Sequence, residues 1–394
     1  MKRPVAANRQ TIATPLSGGI GEHIQEISLC AINCHGRVDH GVVIRWRPLC
    51  GRWLVCLWCV ELQRISGADR GWHRSTFGLP NACPDAPDLI RGEPMKIVYR
   101  MPGGTVPAQV DLLSAGAIGT VARAAEAAGW AGVCFDEHPI PPQYWREGPD
   151  GHDSVDPFVA LATVAGATER IRLVVYATIV PIRNPFLLAK SVATLDVISG
   201  GRVDLGMAAG YLPEEFDALG ISFGRRNDDF DESIKAMKLA WSGEPVNVRT
   251  ERFNAVDVCA HPRPVQRPHP PLWVGGNSGR ALRRVVESGA GWMALVNPRD
   301  RVVSRRSAPL ETVDDLKRLL AYLRAEAARV ERREPIDVMV AVGYRPGDRL
   351  DDLKRTLEEF YEAGAGWFTI NVPDSSVEEA RRTIDQLGAC LVPI

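Results

Sequence analysis

The chain has no apolar run near the roughly 20 residues that a membrane-spanning helix needs; the longest candidate is the short stretch from Trp53 to Val60. It also has no excess of one charge. Its 47 basic and 48 acidic residues give a net charge of −1 without long blocks, which leaves no electrostatic footprint for nucleic acid or an anionic membrane. The basic N-terminus, MKRPVAANRQ, is not followed by the apolar segment of a secretory signal. A cytoplasmic location and a small-molecule partner are therefore expected. A P-loop and a serine-nucleophile elbow are both absent, and no G-x-G-x-x-G turn follows the first strand of the repeating region. That disfavours phosphoryl transfer on a P-loop, serine hydrolysis and a dinucleotide-binding sheet.

Cysteine is sparse after residue 94, where only Cys134, Cys259 and Cys390 remain. This scattered usage fits a reduced cytosolic enzyme. The other six cysteines lie in residues 1–94, a segment that also carries ten Arg against one Lys and four of the ten Trp. Its periodicity is poor, and HGRVDHGVVIRWRPLCGRW offers neither a clean helix nor a sustained strand pattern. Cys56 and Cys59 have metal-ligand spacing, with Cys50 and His73 or Cys83 available, but a second well-spaced pair is missing. The reading carried forward is an extension of little expected structure over 1–94, ahead of a catalytic fold over 95–394. Met95 opens MKIVYRMPGG, which reads as a first strand after an initiator methionine.

What is present is a repeating strand and helix pattern, clearest from Arg170 to Tyr211. Ile171–Thr178 is a β-branched and apolar run of the kind buried on both faces. Pro181 stops it. Asn184 can then cap a helix with Pro185 in its first turn, and Gly200-Gly201 ends that helix before a second buried strand begins at Val203. That strand opens into Ala208, Ala209 and Gly210, small enough to admit a ligand to the backbone. Continued along the chain, the pattern gives eight strands, at Lys96–Arg100, Gly132–Asp136, Ile171–Thr178, Val203–Met207, Leu272–Val274, Trp292–Val296, Ile336–Val342 and Trp367–Val372, each followed by a helix. The expected fold is a (β/α)8 barrel, with a doubly wound sheet as the alternative. A hairpin near Val246–Phe253 is expected within the long connection between strands four and five.

In a barrel, polar residues just past the strand C-termini share one mouth. They are Asp136, Glu137 and His138 after strand two, Thr178 after strand three, the stretch Ala208 to Tyr211 after strand four, Gly275 to Ser278 after strand five and Asn297 after strand six. An imidazole at position 138 can donate to a bound ring or move a proton. Gly275-Gly276-Asn277-Ser278, before a helix, offers free N–H groups to a phosphate, although such a turn is equally a tight connection. Cys259, His261 and His269 flank an extended proline run with no metal motif.

Four stretches carry a resemblance: DEHP at Asp136–Pro139, DPFVALATVAGATERIRL at Asp156–Leu173, RNPFLLAKSVATLDVISGGRVDLGMAAGY at Arg183–Tyr211 and PVQRPHPPLWVGGNSGRALRR at Pro264–Arg284. Over about Met95 to Leu387 the chain resembles the bacterial luciferase-like monooxygenase superfamily, in its coenzyme F420-dependent oxidoreductase branch. The resemblance implies a TIM barrel binding a flavin-like ring in its mouth, without a nicotinamide domain or a metal. It implies that Glu137 and His138 act at the ring as the catalytic pair. It further implies that a bulge with a non-prolyl cis peptide near Ala177, Thr178 and Ile179 backs the ring, and that Gly275, Gly276, Asn277 and Ser278 hold the phosphate. Ala209 and Gly210 join the cofactor contacts, and a homodimer is expected. Two other readings stand beside an F420-dependent oxidoreductase: an FMN-dependent monooxygenase served by a flavin reductase, and a cofactor-binding protein without turnover.

Overall fold

The computed structural model describes residues 26–32, 38–45, 94–101, 110–148, 151–345, 347–372 and 375–392. It divides into two units, Met1–Ala86 and Pro87–Ile394. In the first, Glu26–Ile32 pairs antiparallel with Val38–Arg45. The alternating Val38, Val42 and Ile44 form a strand where the sequence reading found no sustained pattern, and a lone two-stranded ribbon is a small element. The cysteines and His73 of the zinc alternative, at positions 50 to 83, lie outside the described residues.

The second unit is a closed barrel of eight parallel strands in sequential order. They are β1 (Lys96–Arg100), β2 (Gly132–Phe135), β3 (Arg172–Ile179), β4 (Val203–Ala208), β5 (Leu272–Gly275), β6 (Gly291–Ala294), β7 (Asp337–Gly343) and β8 (Trp367–Asn371). Their long helices are α1 (Ala115–Ala127), α2 (Pro157–Ala167), α3 (Pro185–Ile198), α4 (Arg226–Ser242), α5 (Gly279–Ser288), α6 (Val313–Arg329), α7 (Leu350–Glu362) and α8 (Val377–Leu391). The barrel expected from the eight-unit pattern is the fold found. Among the described residues, no helix is long and apolar enough to cross a membrane.

Strand alternation sorts the core into two layers. Val98, Cys134, Val174, Trp273, Met293, Met339 and Trp367 fill the barrel interior. Their neighbours Ile97, Tyr99, Val133, Leu173 and Val175 face the helices. Leu188 and Val192 of α3 are buried in that outer layer, and each contributes roughly 1.5–3 kcal/mol by leaving water.

Helix starts follow the local chemistry of the sequence. Asn184 Oδ1 accepts from the Phe186 and Leu187 N–H groups with Pro185 in the first turn. Asp156 does the same for Phe158 and Val159 ahead of α2. Before α6, Thr312 and Asp315 cap each other's backbone in a capping box. The Pro-rich connection into β5 is pinned by Gln266, whose backbone N–H and side-chain amide both donate to the buried Asp196 carboxylate, at 2.9 and 2.7 Å. The expected hairpin is present as Val246–Arg249 paired with Asn254–Val258. Strand β6 ends at Ala294 rather than Val296 because the Leu295 N–H turns to Asn277 Oδ1, 3.0 Å away.

Candidate functional site

The strand C-termini open into one cavity of about 720 Å3. It brings together Glu137, His138, Ala177, Ile179, Ala209, Gly210, Gly275, Gly276 and Ser278. Thr178 and Asn277, expected among the cofactor contacts, do not line it. Thr178 is fully buried and its hydroxyl donates to Glu137 Oε2 at 2.7 Å. The Asn277 amide donates to the Leu295 and Ala308 carbonyls, tying β5 to the connection after β6. Both side chains build the wall rather than face the space. Asn297, also in the strand-end set, is buried and donates to the Ser307 carbonyl.

The cavity floor at β3 is irregular. Pairing with β4 passes from Val175 opposite Leu205 to Thr178 opposite Met207, a bulge that contains a cis Tyr176–Ala177 peptide bond. This is the feature that the resemblance placed near Ala177–Ile179, and Tyr176, Ala177 and Ile179 all line the cavity. Glu137 fixes the bulge from the end of the neighbouring strand β2. Its Oε2 accepts from Thr178 Oγ1 and from the Ile179 N–H, each at 2.7 Å, and its Oε1 pairs with Arg183. Burial disfavours the Arg183 cation, but the Glu137 and Asp156 carboxylates outweigh that and raise its pKa. With both oxygens held by protein donors, Glu137 braces the floor.

His138 stands beside it in a different role. Its Nδ1 lies 3.3 Å from both oxygens of Glu215, a carboxylate with no solvent exposure on the short helix Pro213–Ala218. A carboxylate at Nδ1 fixes the ring's orientation and makes that nitrogen the protonated one. Nε2 has no hydrogen-bond partner among the described residues. The ring packs against Trp145 at 4.2 Å between centroids, and edge-on to His152 and Tyr211 at 5.5 and 5.7 Å. Next to this cluster, Asp136 pairs with Arg100 and, at 2.6 Å, with His152 Nε2. Burial pushes the Asp136 pKa up, yet the Arg100 guanidinium and His152 hold it well below the usual carboxylate range. Burial likewise raises the Tyr211 phenol, here to about 12, so it stays a neutral hydroxyl.

At the β5 side the walls are cationic. Arg226, Arg280, Arg284, Arg305 and Arg306 all line the cavity. Arg280 and Arg284 are neutralised by Asp228 and Asp231. Arg226 and Arg306 have no carboxylate partner among the described residues, and both stack on Phe223, at 4.0 and 5.1 Å from its ring centre. Burial, with Arg306 and Arg284 nearby, lowers the Arg226 pKa.

Two features suit a bound ring in this cavity. Gly276 has φ +100°, and a Cβ there would find nothing closer than 3.8 Å, so the turn leaves space for a ligand. Contrary to the expectation of free N–H groups, however, the Gly276 N–H donates to the Met293 carbonyl and the Asn277 N–H to Ser307 Oγ. The Trp145 indole N–H is buried in the cavity wall, facing the Tyr211 hydroxyl outside ideal hydrogen-bonding geometry. A buried donor of this kind calls for an acceptor. Gly210, after the adjacent strand β4, closes the wall at φ +77°, where a Cβ would meet Phe216 at 2.7 Å and Ile179 at 2.8 Å. A larger opening, about 1100 Å3, lies among the strand N-termini around Lys96, Arg172 and Asp204. It is remote from the strand-end residues.

Sequence reasoning did not select Glu215, Arg100, His152 or the arginines 226, 305 and 306. Glu214-Glu215 in a first helical turn reads only as a dipole complement, and its pairing with a histidine 77 positions earlier leaves no local mark.

A closed (β/α)8 barrel whose strand-end loops converge on one preformed cavity defines a barrel enzyme. The sequence model of the family described as luciferase-like monooxygenase matches residues 95–387, and the chain belongs to that family. Its members are flavin- or deazaflavin-dependent oxidoreductases and monooxygenases. An uncharacterised protein of Mycobacterium tuberculosis is 29% identical over 239 residues, covering 60% of this chain and 77% of the relative. The oxygenase component of a flavin-dependent trigonelline monooxygenase from Acinetobacter baylyi is 24% identical, over 54% of this chain and 57% of its own. Among solved structures, an F420-dependent secondary alcohol dehydrogenase in complex with an F420-acetone adduct superposes with a TM-score of 0.58 at 18% identity, covering 76% of this chain and 99% of that one. The FMN-bound oxygenating constituent of 3,6-diketocamphane monooxygenase from Pseudomonas putida gives 0.58 at 17%, with the same coverage. Fold similarity thus extends to both cofactor types.

Proposed function

We propose that the chain is an F420-dependent oxidoreductase acting on a small organic molecule. The observation that carries this reading is the cavity itself, which joins a rigid floor at the β3 bulge, an imidazole oriented by a buried carboxylate and an open, cation-walled turn at β5. When bound, the deazaflavin would supply two-electron hydride chemistry, and the protein's share is orientation and proton handling. Ala177 and Ile179 would support one side of the ring, and Glu137 keeps that surface in place. Gly275, Gly276 and Ser278 would receive the phosphate, beside the start of α5. His138, with Glu215 on Nδ1, would present Nε2 to donate or accept a proton, while the buried Trp145 N–H would be available as a donor. Anaerobic turnover tests the reading: absorbance at 420 nm should change when the protein, F420 and a panel of small alcohols and carbonyl compounds are mixed. A rate equal to that without protein across the panel would sink it.

The second reading, an FMN-dependent monooxygenase, draws on the similarity to the trigonelline enzyme. Oxygen-dependent product formation with reduced FMN, and none with F420, would favour it.

We also propose a homodimer. Val159, Leu187 and Ile198 expose 56 to 70% of their surface on α2 and α3, more apolar surface than a solvated face of two neighbouring helices ordinarily shows. Sedimentation of Leu187→Asp should yield monomer where the parent chain yields dimer; monomer for both would refute the proposal.

A further inference from the structure

The cavity carries more cationic charge than a single phosphate at the glycine turn requires. Of its lining arginines, Arg100 is paired with Asp136, and Arg280 and Arg284 share Asp228 and Asp231. Arg226 and Arg306 remain without carboxylates among the described residues.

Their setting is constructed rather than incidental. The two guanidinium groups come from different elements, the first residue of α4 and the connection after β6, and meet on one Phe223 ring. Each is independently tied to the glycine turn. Arg306 precedes Ser307, whose Oγ accepts the Asn277 N–H at 2.9 Å. Arg226 heads the helix whose Asp228 and Asp231 grip Arg280 in the first turn of α5. Arg306 also sits at φ +50°, a left-handed conformation uncommon for a residue with a side chain. The cations are crowded as well: burial, then Arg306 and Arg284, disfavour the charged form of Arg226. Two like charges held together on an aromatic face are relieved by an anion with oxygens for both.

Resting on the F420 reading, we propose that Arg226 and Arg306 form a clamp for a second anionic group beyond the cofactor's phosphate, an oligocarboxylate chain attached to it. The glycine turn takes the phosphodiester, and the Phe223-backed pair takes carboxylates further along the same ligand. F420 carries such a glutamyl chain, whereas FMN ends at its phosphate, so the clamp is a specificity device that favours the deazaflavin cofactor.

The test uses three ligands: the deazaflavin ring with its ribityl chain alone, its phospholactyl form without glutamates, and F420 with a glutamyl chain. Dissociation constants are read from ligand fluorescence, for the parent chain and for Arg226→Gln/Arg306→Gln, with melting temperature recorded in parallel. The double variant should bind glutamylated F420 at least about tenfold more weakly, ~1.4 kcal/mol, with much smaller changes for the other two ligands. Arg226→Lys/Arg306→Lys should recover part of the loss. In the parent chain, affinity for glutamylated F420 should fall more steeply with salt than affinity for the phospholactyl form, a readout that needs no variant. Equal losses for all three ligands, or no loss for any, would overturn the clamp. Parent-chain affinity for the bare ring equal to that for full F420 would overturn it while leaving the cofactor reading intact. Tight FMN binding with no binding of any deazaflavin would remove the cofactor reading and the clamp with it.

Discussion

Replacing Glu137 tests whether this carboxylate is a brace or a catalytic group. In the structure it accepts hydrogen bonds from Thr178 Oγ1 and the Ile179 N–H and pairs with Arg183, while only 4% exposed. Glu137→Ala would strand a hydroxyl and a buried backbone N–H and leave the Arg183 guanidinium with Asp156 as its one carboxylate. Removing one partner of a buried charge pair costs about 3–5 kcal/mol. With a urea slope of ~3 kcal/mol per molar, the midpoint should fall by about 1–1.7 M. Glu137→Gln retains one oxygen for Thr178 and Ile179 but opposes an amide to Arg183, so a smaller loss of ~1.5–3 kcal/mol is expected, in the range of a hydrogen bond to a charged group. Urea unfolding followed by tryptophan fluorescence measures both. Cofactor affinity should fall in step with stability across Ala, Gln and the parent chain, because the bulge moves when its brace is removed. A midpoint shift under about 0.3 M for Glu137→Ala, combined with lost activity, would refute the reasoning and return Glu137 to direct contact with the reacting molecules.

His138 separates the two functions of its ring. His138→Asn places an amide N–H near the Nδ1 position and keeps a donor for Glu215, so stability should hold while cofactor binding weakens by about 1–3 kcal/mol. His138→Ala should lose both, since Glu215 is then buried without its partner; equal cofactor affinity for Asn and the parent chain would place Nε2 outside the site. Asp136 contributes to acid stability, alongside other ion-paired carboxylates such as Asp156, Asp231 and Asp315. Its folded pKa is depressed, so its contribution is fully present above the ordinary Asp value of ~3.9 and is lost as pH falls through the folded pKa. Asp136→Asn should therefore be less stable at neutral pH and show a shallower decline below about pH 4 in acid titrations followed by circular dichroism; a decline as steep as the parent's would contradict the Arg100 and His152 pairing.

Much of the fold was legible because its signals are local. Asp156-Pro157 and Asn184-Pro185 announce helix starts within two residues, and the apolar runs of β3 and β4 need no partner to be read as buried. The strand-end rule also found the mouth, since Glu137, His138, Gly210 and Gly276 meet in one cavity. Side-chain direction was not legible. After the β3 bulge the sequence does not say that Ala177 and Ile179 line the cavity while Thr178 turns to Glu137, and nothing in Gly-Gly-Asn-Ser shows that Asn277 spends its amide on Leu295 and Ala308. Pairings across long separations were equally hidden. His138 alone suggests a histidine favoured for its polarity; only the fold supplies Glu215, and with it the expectation that His138→Ala costs stability as well as binding. Arg305 and Arg306 lie in a connection without periodicity, where charge reads as solvated surface until the loop is seen to turn into the mouth.

The central claim is that this barrel mouth is built for a deazaflavin, and equilibrium titration of the cofactor-free protein with F420 and, separately, with FMN tests it most directly. The account predicts saturable F420 binding, at least about tenfold tighter than FMN, a difference of ~1.4 kcal/mol. FMN binding as tight as or tighter than F420 would contradict it.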